Sequence, residues 1–233
     1  MRPDLVNVVK AMEIYVPVGI ARRLHQARGT NESPYLDAMV SRNVIFTHVP
    51  KTGGTSIAKA LFGSKTTHIP IYRYRVTHPA LFARAFKFAI VRNPWDRIYS
   101  AFKYLHRVVG NRSFPDGEWA TEVLGEVQTF QQFVHRLEHP GYRLLVMSYI
   151  HFRPQLWWLS VPGQGMAMDY VGRLEHIQEA YQLVSERLGV DVDLPVTRTT
   201  SGPSYVDVYD DAMTRIVGDL YRKDIEAFDY TFS

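Results

Sequence analysis

The stretch Asn43-Val44-Ile45-Phe46-Thr47-His48-Val49-Pro50-Lys51-Thr52-Gly53-Gly54-Thr55-Ser56 decides the fold of this 233-residue chain. Its first five residues form a short apolar run, which reads as a buried strand of a parallel sheet. A helix follows over residues 56–62, where Ile57, Ala60 and Leu61 have the i, i+3, i+4 spacing of one buried face. Between strand and helix, two adjacent glycines let the backbone pass close to a ligand, and the amide groups at the helix start point at it. Lys51 adds a full positive charge, and Thr52, Thr55 and Ser56 add hydroxyls. By physics this is an anion loop, but it is not Walker A. That motif places its Lys after the last Gly and follows it with a Ser or Thr on magnesium, whereas Lys51 precedes both Gly53 and Gly54. A magnesium-dependent nucleotide kinase is thereby the weaker enzyme reading.

The same strand-to-helix arrangement recurs downstream. A helix over residues 79–86 leads into a second buried strand over residues 87–91. Asn93-Pro94 then opens a helix, with Asn93 as N-cap and Pro94 at the first helical position. Trp95, Ile98, Tyr99, Phe102 and Leu105 form its apolar stripe. Arg92 leaves the strand end, where α/β sheets bind ligands. Ser100 falls opposite the stripe, with Asp96, Lys103 and Arg107, so Arg92 and Ser100 can face one anion while the stripe packs. Strand, loop and helix in that order twice predict an α/β fold with a central parallel sheet flanked by helices. Further helices are expected over residues 130–137, 175–188 and 206–228, and a short edge strand over 168–172, while 143–149 has no readable pattern. Residues 3–28 read as a helical extension broken near Pro17, followed by a polar linker over 28–34. The domain organisation expected is a helical N-terminal extension over 1–40 and one domain over 41–233.

Composition narrows the function classes. Hydrophobic residues make up 46% and charged residues 21%, enough for a sizeable core and unlike a disordered chain. Cysteine is absent, which excludes disulfides, zinc thiolates and a cysteine nucleophile and fits a cytoplasmic, bacterial protein. The apolar run over 14–21 is too short to span a bilayer and has no cleavage site behind it. Residues 42–112 contain 13 Lys and Arg against a single acid, Asp96, for a net +12, and the rest of the chain carries 14 basic against 22 acidic residues, for −8. Such a segment focuses positive potential and attracts an anion. Arg outnumbers Lys 20 to 7, which suits planar anions such as phosphate and sulfate. A nucleic-acid patch is the alternative source of such charge. The two anion motifs favour a small ligand, and no nucleic-acid partner is expected.

The run from His48 to Ser56 resembles the 5′-phosphosulfate loop of sulfotransferases, which take their sulfuryl group from 3′-phosphoadenosine-5′-phosphosulfate (PAPS). The run from Val91 to Phe102 resembles the 3′-phosphate site of the same family, where an Arg and a Ser eight residues later hold that phosphate. Three later stretches look like the carbohydrate (type 2) sulfotransferases: His151-Phe152-Arg153-Pro154-Gln155, Val171-Gly172-Arg173-Leu174-Glu175, and the ending from Tyr221 to Tyr230. The run from Leu194 to Gly202 resembles the late loop that closes on the cofactor. The likeness covers about residues 43–230. It implies a P-loop-like sulfotransferase fold, PAPS as donor without a metal, and cofactor contacts from Lys51, Thr52, Gly53, Gly54, Thr55, Ser56, Arg92 and Ser100. Arg198 and Thr200 are candidate contacts of the late loop. Asp224, Phe228 and Tyr230 are expected to pack in the core. The acceptor is expected to be a hydroxyl-bearing, anionic glycan, with Tyr72, Tyr74, Trp157 and Trp158 either stacking on sugar rings or packing. The helical N-terminus is suited to a dimer arm or to a membrane surface.

Sulfuryl transfer needs positive charge on the leaving phosphate and a base for the acceptor hydroxyl. Lys51 is the natural partner of the phosphate. The resemblance places a base histidine between the two cofactor motifs, and His78, near Arg73, Arg75 and Arg84, is the first candidate. His151 is the second, as base or as a residue that orients the acceptor, and His48 is expected to belong to the loop's scaffold. A rival from another class is the His135-Arg136-Leu137-Glu138-His139 pattern, which on one continuous helix would place two imidazoles a turn apart as in inverted zinc peptidases. A non-catalytic binder of nucleotides or polyanions is the third alternative.

Overall fold

The structure is a computed structural model and describes residues 33–194 and 203–233. In chain order its elements are α1 (Asp37–Ser41), β1 (Val44–Thr47), α2 (Gly54–Phe62), α3 (Ile71–Thr77), α4 (Pro79–Arg84), β2 (Phe86–Val91) and α5 (Pro94–His106). Then come α6 (Pro115–Leu124), α7 (Phe130–Arg136), α8 (Pro140–Ser148), α9 (Gln155–Leu159), β3 (Ser160–Val161), β4 (Gly165–Met166) and β5 (Tyr170–Arg173). A 3₁₀ turn (Leu174–His176) leads into α10 (Ile177–Leu188), and another (Tyr205–Val208) precedes α11 (Asp211–Leu220) and α12 (Arg222–Phe228). These elements form two compact units, each built from two separate stretches of chain. The sheet unit takes in residues 33–92 and 155–194, and the helical unit takes in 93–154 and 203–233.

The sheet unit carries the expected parallel sheet, in the order β1-β2-β5. Val44 pairs with Phe86 and Thr47 with Ala89, and on the other side Phe88 pairs with Tyr170 and Val91 with Arg173. All four residues of β1 are buried, which is why it reads as an unbroken apolar run rather than an alternating one. Phe46 and Phe88 stack across the β1–β2 pair with centroids 4.8 Å apart. β5 is the expected edge strand, starting two residues and ending one residue later than expected, and Lys87 binds Asp169 just ahead of it through both its backbone N–H (2.7 Å) and its ammonium (3.0 Å). Gly172 sits where α10 closes on the sheet, and a Cβ there would lie 2.6 Å from that of Ala180. Met39 of α1 and the preceding Tyr35 belong to this core, and the Tyr35 hydroxyl donates to the Tyr74 carbonyl at 3.0 Å. The helix α1 thus runs through the expected boundary at residues 40 and 41. Tyr72, Tyr74, Trp157 and Trp158 are all buried, so they pack and do not offer a platform for sugar rings.

The helical unit is organised by α5. Asn93 caps it by accepting from the Trp95 N–H at 3.1 Å, Pro94 occupies its first position, and the stripe of Trp95, Ile98, Tyr99, Phe102 and Leu105 is buried as expected. Rings of Phe102, Phe130, Phe133 and Phe152 form the adjacent aromatic core. Residues 143–149, which carried no pattern, lie largely in α8, started by Pro140 and by the His139 ring, whose Nδ1 accepts from the Tyr142 N–H at 3.4 Å. The single helix expected over 206–228 is instead a 3₁₀ turn and two helices. Asp210 starts α11 by accepting from the Met213 N–H at 2.7 Å, and Tyr221 ends it. The zinc-peptidase reading loses its geometry, because α7 stops at Arg136 and His139 caps the next helix, so the two imidazoles do not share one helical face. Asp224, Phe228 and Tyr230 are buried, as core packing requires. Among the described residues no helix is long and apolar enough to cross a membrane.

Candidate active site

The anion loop lies at the C-terminal end of β1 and leads directly into α2. Three of its residues owe their place to backbone geometry. Lys51 has φ +68°, a left-handed conformation that costs a side-chain-bearing residue about 1–2 kcal/mol. Gly53 has φ +74° and is the N-cap of α2. Gly54 begins the helix against the His48 ring, and a Cβ there would sit 2.2 Å from His48 Cδ2. The two glycines therefore answer different demands, one conformational and one steric.

The hydroxyls divide as well. Thr52 is fully buried, and its hydroxyl donates to the Val49 carbonyl at 2.9 Å, so its proton closes the turn. Thr55 is exposed and Ser56 half-buried in the first turn of α2. The Ser56 N–H donates back to the Gly53 carbonyl at 3.2 Å. Lys51 is half-buried on the loop.

Below the loop, His48 is scaffold, as expected. It stacks on Phe46, and its Nδ1–H is shared between the Thr66 carbonyl (3.3 Å) and the Thr66 hydroxyl oxygen (3.0 Å). Burial first, and then the nearby His68, lower its pKa to about 3, so it is neutral at any working pH. His68, which sequence reasoning passed over, lies 4.3 Å from His48 ring to ring and is half-buried. Its Nδ1 stands 2.9 Å from the His48 carbonyl. A carbonyl only accepts, so Nδ1 carries the proton and the lone pair of neutral His68 is at Nε2.

Arg92 continues from β2 into the same neighbourhood. Its Nη1 donates to the Lys51 carbonyl at 3.2 Å, which joins the two expected anion groups within one unit. Its main chain is held on both sides by the buried amide of Gln155. The Arg92 N–H donates to Oε1 at 2.9 Å, and Nε2 donates to the Arg92 carbonyl at 2.8 Å.

The sulfotransferase family model matches the chain over residues 38–231. The chain belongs to the sulfotransferase family. Comparisons with curated proteins and with solved structures gave no match. The sulfotransferase fold and the transfer of a sulfuryl group to a hydroxyl are thereby its fold and its chemistry.

The remaining expected site residues are placed as follows. Ser100 lies in α5 of the helical unit, half-buried on the polar face with Asp96 and Lys103. Arg198 and Thr200 fall outside the described residues. His78 is exposed between α3 and α4, where its Nδ1 accepts from the Leu81 N–H at 3.3 Å. That bond commits the lone pair of Nδ1 to a helix cap and leaves the proton of the neutral ring on Nε2. His151 is buried in the helical unit with Nε2 3.1 Å from Asp116 Oδ2, between the rings of Tyr104 and Tyr149. Asp116 also accepts from Tyr104 (2.7 Å) and Tyr149 (2.5 Å). Burial alone would raise the Asp116 pKa, but the hydrogen bond and charge of His151 and the two phenols outweigh it and hold the carboxyl well below the usual range.

Proposed function

We propose that this sulfotransferase moves a sulfuryl group from PAPS to a hydroxyl of an anionic carbohydrate. The observation that carries the donor assignment is the 3.2 Å bond from Arg92 to the Lys51 carbonyl, because it ties the 5′-side loop to the residue expected to read the 3′-phosphate. The cradle suits such a donor: two glycines bring the chain close, the start of α2 offers amides, and Lys51 and Arg92 bring two cations. PAPS supplies the sulfuryl group. Gly54, Thr55 and Ser56 would hold the 5′-phosphosulfate, with Thr52 shaping the turn beneath it. Arg92 would hold the 3′-phosphate, and Ser100 keeps its part in that contact on the strength of the sequence motif. Lys51 would neutralise charge gathering on the leaving phosphate.

The acceptor's proton needs a lone pair at the loop. The cap at His78 engages the lone pair of that ring at Nδ1, whereas at His151 the Asp116 carboxylate accepts from Nε2–H, which puts the lone pair of the neutral ring on Nδ1, buried within the helical unit. His68 carries its lone pair at Nε2 through its tautomer, and it is anchored to the His48 carbonyl at the start of the loop. We therefore assign the base to His68 in place of His78. The net +12 of residues 42–112 supports an anionic acceptor.

Calorimetry with adenosine 3′,5′-bisphosphate in the absence of divalent metal tests the donor site. Binding is expected, with a strong preference over adenosine 5′-monophosphate that Arg92→Ala removes. Equal affinity for the two nucleotides in the unsubstituted protein would reject the assignment. Incubation with labelled PAPS and sulfated or carboxylated glycans tests the acceptor, and faster labelling of a neutral phenol would reject an anionic glycan.

A further inference from the structure

Among the described residues the strand pairings stop just short of Arg92. The β1–β2 pairing runs to Thr47 and Ala89, and the β2–β5 pairing runs to Val91 and Arg173. One residue later the chain still carries a peptide N–H and a carbonyl at the position where its side chain must be aimed. Gln155, fully buried at the start of α9, bonds both groups with one primary amide. Each is of ordinary length, 2.9 and 2.8 Å, so the side chain acts as a one-residue β-bridge. The guanidinium is steadied at its far end by the Lys51 carbonyl. Arg92 is thereby fixed at both ends, its backbone by Gln155 and its head group by the anion loop.

Resting on the donor assignment above, we propose that Gln155 is the positioning residue for 3′-phosphate selectivity. It touches no substrate. By holding the Arg92 main chain it sets in advance the direction of a side chain that otherwise has four torsions to freeze on binding. Preorganisation of this kind strengthens a charge-assisted contact without adding one. An amide is required for the task, since only a group with both a donor and an acceptor can satisfy an N–H and a C=O together. The chemistry recognised is a ribose 3′-phosphomonoester on an adenosine nucleotide. The loop's hold on the 5′ end does not pass through Gln155.

The test compares affinities for adenosine 3′,5′-bisphosphate and adenosine 5′-monophosphate in four proteins: unsubstituted, Gln155→Met, Arg92→Ala and the double variant. Met keeps the shape of Gln and removes both hydrogen bonds. In Gln155→Met the preference for the bisphosphate is expected to fall about tenfold, the scale of losing one or two buried hydrogen bonds, with little change for the monophosphate. In the double variant the preference should equal that of Arg92→Ala alone, because the two residues act through one contact. Gln155→Glu is the second variant. As a carboxylate it keeps the bond from the Arg92 N–H and loses the one to the carbonyl, so a reduced preference is expected there too, and thermal unfolding of both variants separates loss of the fold from loss of the preference. If Arg92→Ala lowers the preference but both Gln155 variants leave it intact, the positioning role is overturned and the donor assignment stands. Multiplying effects in the double variant would overturn it equally. If Arg92→Ala itself leaves the preference unchanged, the donor assignment fails, and this inference with it.

Discussion

In the sheet unit the polar groups around the anion loop are held through the main chain. Lys51 and Gly53 take left-handed backbone angles, Gly54 leaves room for an imidazole, His68 hangs from the His48 carbonyl, and Gln155 grips the backbone of Arg92. In the helical unit the Asp116 carboxylate and the Arg97 guanidinium are held by side chains and by carbonyls reached from a distance. Asp116 gathers Tyr104, Tyr149 and His151. Buried Arg97 donates to the carbonyls of His151 and Arg153 and lies 5.5 Å from the Tyr221 ring. The first arrangement is the one proposed above to receive an anion. The second closes those bonds within the unit. A ligand site and a structural network can thus be told apart by where their hydrogen bonds end, even when both contain histidine.

The sharpest way to break this contrast is at the base. His68→Asn retains a donor near the position of Nδ1, so the tie to the His48 carbonyl can survive while the base is lost. Turnover is expected to fall roughly 10³-fold, with affinity for adenosine 3′,5′-bisphosphate nearly unchanged. Near-normal turnover in a radiolabel transfer assay would remove His68 from the chemistry.

A smaller effect is expected from Gly54→Ala, whose new Cβ would collide with the His48 ring. The start of α2 must shift, and bisphosphate affinity should drop on the order of 10²-fold, since a misplaced anion cradle loses several charge-assisted contacts at once. Adding His48→Ala should recover part of that loss. Failure of the double variant to recover any affinity would mean the glycine is needed for another reason.

On the other side of the comparison, Asp116→Asn should leave nucleotide affinity alone and cost about 2 kcal/mol of stability in denaturant unfolding, through donors left poorly matched. The pH dependence has a definite sign. The folded pKa of Asp116 lies below its unfolded value, so its contribution is complete above about pH 4 and fades as pH falls further toward the folded pKa. The variant should therefore lose less stability than the unsubstituted protein between neutral pH and pH 3, and parallel curves would contradict the network. The smallest effect is assigned to His78→Ala, about 1 kcal/mol from the lost cap, with turnover retained. A thousandfold loss of turnover there would return the base to His78.

The same contrast explains what could be read in the sequence. Backbone-determined features announce themselves: paired glycines, Pro94 after a capping Asn93, and an apolar run ahead of each. Those signals located the loop, both strand ends and the stripe of α5. The buried network gives no such notice, because Asp116, Tyr104, Tyr149 and His151 come from three separate stretches, and their meeting is a product of packing. The roles proposed for His68 and Gln155 are hidden from the sequence for a related reason. Each is tied to main-chain groups far along the chain, His68 by one bond and Gln155 by two, and neither spacing nor residue type encodes that. The helix α3 went unread because Tyr72, Tyr74 and Val76 alternate as a strand would. His78 drew attention through neighbouring arginines, yet the Pro79 that follows it marks a helix start and a capping role.

The interleaving of the two units has a consequence for how the chain is made. β2, the central strand, finds β1 soon after synthesis, but its other neighbour, β5, lies about 80 residues further on. At about 5–20 residues per second, a ribosome takes ~4–16 s to deliver that strand. During that interval one edge of an apolar strand has no partner, a state that invites pairing with other chains. The helical unit waits longer still, since α11 and α12 close it from the last 31 described residues, 203–233. Each unit is thus interrupted by part of the other in the order of synthesis. Neither can finish as an independent early product, and loss of the final helices should harm yield of folded protein out of proportion to their length.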